Sequence, residues 1–114
     1  MYANKLIKVE VCLASEEDFF EFKSVWKARL GDKLPARTTL VVGDNFPMPG
    51  CKISIDAIAL DGSSNLNLEY LNDPESDANM AAECAPHAVR AGDFVFCSAF
   101  TASDFVNGIA VGKP

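Results

Sequence analysis

Arg37 stands two residues behind Pro35, in the run Pro35-Ala36-Arg37-Thr38-Thr39-Leu40-Val41-Val42. A guanidinium presents a planar fork that meets a carboxylate in two parallel hydrogen bonds, so an arginine at the mouth of a short strand suits the capture of a small acid. The competing role for such a residue is a solvated position at a strand edge. The next apolar run, CKISIDAIAL at 51–60, places Ser54 and Asp56 on one face by strand parity. Thr39 shares the face of Arg37 and can orient a ligand, although a β-branched residue also belongs in a strand for its own sake. Pairing of the two strands is expected to gather these groups into one place that holds a small anion.

Other reactive residues form weaker patterns. His87 has a side chain that titrates near neutral pH, but a lone histidine at the start of a strand is ordinarily a plain polar contact. Cys12, Cys51, Cys84 and Cys97 are scattered, with no Cys-x-x-Cys pair and a single histidine, so no metal site is expected. Three of them, Cys12, Cys51 and Cys97, sit in apolar runs where a free thiol acts as a small hydrophobe, which predicts a reducing, cytoplasmic setting. The formal net charge of -6 repels phosphate backbones and no basic run offsets it, so nucleic acid is not an expected partner. No basic segment leads into an apolar one at the amino terminus, and no apolar run reaches the ~18 residues of a membrane span, so a chain neither exported nor inserted is expected.

The elements that must position these residues are legible in outline. With 114 residues, 49% hydrophobic and 23% charged, the chain has the size and composition of one folded domain. Ile7, Val9, Val11 and Leu13 alternate with polar residues, which predicts a first strand over 5–13. Ser15 precedes Asp18 by three residues, a helix start, and Phe19, Phe22, Trp26 and Leu30 follow at helical spacing as a core-facing stripe rather than an aromatic cage. Gly31 and Pro35 end that helix. A second strand over 38–42 and a third over 51–60 are expected to form a hairpin through the turn-rich loop at 45–50. Cys51, Ile53, Ile55, Ala57 and Ala59 should then face the core. Residues 61–82 read as a connector with one brief strand between 66 and 71. Beyond it, 87–91 and 94–98 flank an Ala91-Gly92 turn and predict a tight hairpin, and Asn107-Gly108 bends the chain again.

With these elements in place, two segments resemble the RidA/YjgF family of small imine-deaminase-like proteins. From about Ile7 to Leu60, the strand, the capped helix, LPARTTLVV and CKISIDAIAL resemble the carboxy-terminal half of a member, with its Pro-Ala-Arg-(Ser/Thr) signature and Glu/Asp-Ala-Ile-Ala strand. APHAVRAGDFVFCSAF, at 85–100, resembles the hairpin that opens such a domain. The order is reversed relative to the family, and the long helix between hairpin and first strand is missing. The resemblance therefore implies a piece of a tandem two-domain member, with 1–60 as a carboxy-terminal-half-like segment, 61–83 as connector and 84–114 as an amino-terminal-hairpin-like segment; a circular permutant is the alternative. Hairpin and body are expected to complete one sheet within a chain or by exchange between chains.

The resemblance implies an α+β fold, a chorismate-mutase-like mixed sheet packed on the helix, with three sheets closing into a trimeric, barrel-like core. It implies a hydrolytic deaminase of reactive imines or enamines such as 2-imino acids, without a cofactor, its sites lying between subunits. Arg37 would grip the substrate carboxylate while water attacks the imine carbon. The family's glutamate position falls on Ser54, which cannot act as a carboxylate base, so Asp56 is the catalytic candidate, about 7 Å further along the strand. Ser98 matches a family serine near the ligand, yet Ala99 replaces the glycine beside it and Ala85 the family's tyrosine. Those departures favour the alternative, a catalytically silent small-molecule-binding or assembly module. The endoribonuclease label attached to parts of the family conflicts with the acidity of the chain.

Overall fold

β1 (Leu6–Leu13) buries side chains on both faces, which is what a central strand requires. The computed structural model describes residues 5–46, 48–72 and 85–99, together with the backbone pairing of 103–104 and 108–109. After β1 the Ser15 hydroxyl accepts the Glu17 N–H at 3.2 Å, and one turn precedes the helix α1 (Asp18–Leu30). The helix thus starts two residues later than the Ser15 cap suggested, with Glu17 at its N-cap and no side-chain bond there. Asp18 and Glu21 in the first turn and Lys27 and Arg29 in the last complement the helix dipole. Gly31 closes the helix at φ 65°, its N–H bonded to the Lys27 carbonyl at 3.0 Å, a conformation glycine adopts without a Cβ penalty.

β2 (Ala36–Val41) returns parallel to β1, and β3 (Ile53–Ala59) pairs antiparallel with the other edge of β1. The sheet order β2-β1-β3 corrects the expected hairpin, since β2 and β3 never meet. The physical reason is the helix: a strand, a crossover helix and a strand make a parallel pair, so the third strand takes the free edge of the apolar one. Backbone bonds at the end of β1 fix the ends of the intervening loop, from the Val42 N–H to the Leu13 carbonyl at 2.8 Å and from the Ala14 N–H to the Lys52 carbonyl at 3.0 Å. The core face expected for β3 is also corrected, because all seven of its residues are exposed.

A second sheet, in the order β4-β5-β6, is built from β4 (Leu68–Leu71), β5 (Ala88–Ala91) and β6 (Phe94–Cys97). The brief strand expected in the connector is β4, and it pairs with β5. The β5–β6 turn consists of Gly92 and Asp93, one residue later than expected, with Gly92 at φ 61°. β7 (Ser103–Asp104) and β8 (Gly108–Ile109) form a short ladder; Asn107 itself lies outside the described residues, as does Cys84.

Two apolar clusters flank the first sheet. Val9, Val11, Leu13 and Leu34 pack with Trp26 of α1, and Phe19, Phe22 and Leu30 close over them, the stripe that the helical spacing predicted. Ile7 and Ala36 pack instead with Val89 and Ala91 of β5, joined by Leu68, Tyr70 and Phe96. A register shift between Leu6 and Lys8 resets the alternation of β1, so Leu6 shares the helix-facing side with Val9, Val11 and Leu13 while Ile7 faces the second sheet. The result is an α+β arrangement of helix, sheet and sheet.

Candidate functional site

Strand register decides which candidate residues can meet. Arg37 lies opposite Val9 and Thr39 opposite Val11, so both project toward α1. Asp56 lies opposite Glu10 and Ser54 opposite Cys12, which project from the other face of the same sheet. β1 also intervenes, leaving β2 and β3 about 10 Å apart at two ladder spacings. Within one chain the structure therefore joins Arg37 with Thr39, and Ser54 with Asp56, but not the two pairs.

Arg37 is only 5% exposed. Its guanidinium carbon sits 5.3 Å from the Trp26 ring centroid, 5.4 Å from Phe22 and 6.0 Å from Phe19. Each ring offers its negative face to a desolvated cation, an attraction that offsets part of the cost of burying the charge. The aromatic stripe of the helix is core, as its spacing indicated, yet it also covers an arginine of the same chain. Beside it the Thr39 hydroxyl is buried with no hydrogen-bond partner among the described residues.

The backbone of Arg37 carries a second function. Its N–H donates to the Ser98 hydroxyl at 2.9 Å and its carbonyl accepts the Ala99 N–H at 3.1 Å, so the segment following β6 seals the outer edge of β2. The Ser98 hydroxyl in turn donates to the Pro86 carbonyl at 2.6 Å, and the Ser98 N–H donates to the His87 carbonyl at 2.9 Å. Ser98 is 5% exposed, and its one donor and one acceptor lone pair are committed to the fold. Hairpin and body are thus joined within this chain. His87 and Ala85 are buried in the same junction, whereas Ala99 is exposed.

Lys8 was not singled out by the sequence. Its ammonium donates to the Thr38 hydroxyl at 2.8 Å and to the Cys97 carbonyl, clamping β6 to the first sheet from the face opposite Arg37. The one signal for it is a cation between the buried residues Ile7 and Val9. Asp56 and Glu10 face each other on the exposed part of that surface, two like charges in direct cross-strand register. Among the described residues no three His, Cys, Asp or Glu side chains converge as a metal site would require, and no helix is long and apolar enough to cross a membrane.

The chain is similar to the protein mmf2, mitochondrial, of Schizosaccharomyces pombe, with 42% identity over 57 residues. That match covers 48% of this chain and 44% of the fungal protein, so the likeness spans less than half of either. No protein-family model matches the chain. No solved structure matches it.

Proposed function

We propose that this chain is a catalytically silent, RidA-type binding and assembly module rather than a self-contained imine deaminase. The observation that carries this reading is the burial of Arg37, whose guanidinium lies under the rings of α1 and, within one chain, is separated from Asp56 by one strand and by the thickness of the sheet. A deaminase of the proposed type needs a cation on the substrate carboxylate and a base within hydrogen-bond reach of the attacking water, around one small ligand. Here the guanidinium is enclosed by rings of its own helix, and the serine that would line the ligand is occupied by Arg37 and Pro86.

Self-association is part of the proposal. β3 is an edge strand, with Ile53, Ile55 and Ile58 41%, 53% and 48% exposed. An apolar edge of this kind is covered in a stable soluble protein, and a further copy of the chain is the occupant we assign, in a trimer like those of the family. The three thiols of Cys12, Cys51 and Cys97 are free, which supports a reducing compartment, the cytoplasm or, following the name of the fungal relative, the mitochondrion.

The test is ammonia release from a 2-imino acid generated in situ by an amino-acid oxidase. The native chain, Arg37→Ala and Asp56→Asn are expected to release ammonia at the spontaneous rate. Release above that rate by the native chain, lost in both folded variants, would restore the deaminase reading.

A further inference from the structure

A cavity of about 290 Å³ opens between the start of β1, the segment before β2 and the β4 strand, lined by Lys5, Lys33, Leu66, Asn67, Leu68 and Tyr70. Because β1 and β2 run parallel, the residues preceding both strands arrive at one end of the sheet, which is how Lys5 and Lys33 come to share a concavity. Among the described residues no carboxylate pairs with either ammonium. The only salt bridge among the described residues joins Lys27 to Asp32. Glu69, the acid of β4, stands opposite Arg90 and by strand alternation projects away from Leu68 and Tyr70. The Asp61 carboxylate is held in its own turn by the N–H and hydroxyl of Ser63, both at 2.9 Å.

The existing partners of the two cations are weak. Lys5 reaches the Ser64 carbonyl at 3.5 Å, at the long limit of a hydrogen bond, and Lys33 lies 5.5 Å from the centre of the Tyr70 ring. Two cations that line one cavity both attract an anion placed between them. The rest of the lining supplies an apolar wall from Leu66, Leu68 and the Tyr70 ring, with the Asn67 amide as a polar group. Burial raises the Tyr70 pKa above the ordinary phenol value, and a neutral phenol is a hydrogen-bond donor.

We infer that this cavity binds a small organic anion, its phosphate or carboxylate between Lys5 and Lys33 and its short apolar body against Leu66, Leu68 and Tyr70. At roughly 30 Å³ for each water-sized group, the volume admits an occupant of roughly ten heavy atoms. The site is separate from Arg37 and does not depend on the ammonia-release result.

The experiment is an NMR titration of the full chain with phenyl phosphate, benzoate, inorganic phosphate and the neutral benzyl alcohol. Phenyl phosphate or benzoate, whichever anionic group the site prefers, is expected to shift the amides of Lys33, Leu66, Asn67 and Tyr70. Inorganic phosphate should bind more weakly for want of the apolar body, and benzyl alcohol should leave these amides unmoved. Lys33→Gln and Lys5→Gln are each expected to weaken binding of the preferred anion about tenfold, as loss of one charge-assisted hydrogen bond implies. The inference is overturned by equal binding of benzyl alcohol, by shifts located elsewhere, by unchanged affinity in both variants, or by no response to either organic anion.

Discussion

Replacing Ser98 by alanine separates a structural role for this residue from a ligand-binding one. The hydroxyl accepts the Arg37 N–H at 2.9 Å and donates to the Pro86 carbonyl at 2.6 Å, in a position only 5% exposed. Alanine leaves both backbone groups without this partner in a junction that excludes water. Each buried group so orphaned costs about 1–3 kcal/mol, and with partial relaxation the pair amounts to about 3 kcal/mol. With a urea slope of about 1.5 kcal/mol per molar, the unfolding midpoint falls by about 2 M. Trp26, the single tryptophan of the chain, is buried under α1 and reports the transition by its fluorescence. Ser63→Ala is the control, because that hydroxyl is exposed and bonds only within its own turn; its effect stays within about 0.5 kcal/mol. A Ser98→Ala transition within the same 0.5 kcal/mol of native would refute the junction as described and return the hydroxyl to the pool of ligand contacts.

Three further outcomes are expected. Ile55→Asp places a charge on the exposed edge strand without entering the core, so sedimentation should show an oligomer for the native chain and a monomer for the variant; identical masses would remove the assembly surface. The Ser63 N–H and hydroxyl hold the Asp61 pKa below the usual carboxylate value, so this contribution favours the folded state above the unfolded pKa and is lost as pH falls through the folded one. A carboxyl NMR titration should find the Asp61 midpoint below the ordinary aspartate value, and Ser63→Ala should move it upward. Burial shifts Tyr70 the other way, so its contribution is complete below the ordinary phenol pKa and disappears as the solution becomes more alkaline. An ultraviolet titration in which no tyrosine titrates late, or in which Tyr70→Phe leaves the late phase in place, would contradict that burial.

Local chemistry in the chain determined its elements. The alternation of Val9, Val11 and Leu13 encodes the helix-facing side of β1, from which Ile7 departs at the register shift; the spacing of Phe19, Phe22, Trp26 and Leu30 encodes the buried face of α1, and Gly31 stops the helix in the conformation a glycine permits. Strand parity likewise paired Arg37 with Thr39 and Ser54 with Asp56 correctly, because side-chain alternation is a property of each strand alone. Which strand lies beside which is not such a property. The order β2-β1-β3 arises from long-range competition for the edges of the most apolar strand, and it placed the two candidate pairs on opposite faces. Tertiary packing also put the guanidinium of Arg37 under three rings separated from it in sequence, and committed the Ser98 hydroxyl to a backbone 61 residues away. The cavity lined by Lys5 and Lys33 has the same origin: no local pattern records that two distant lysines share a concavity, and the parallel return of β2 brings them to one end of the sheet.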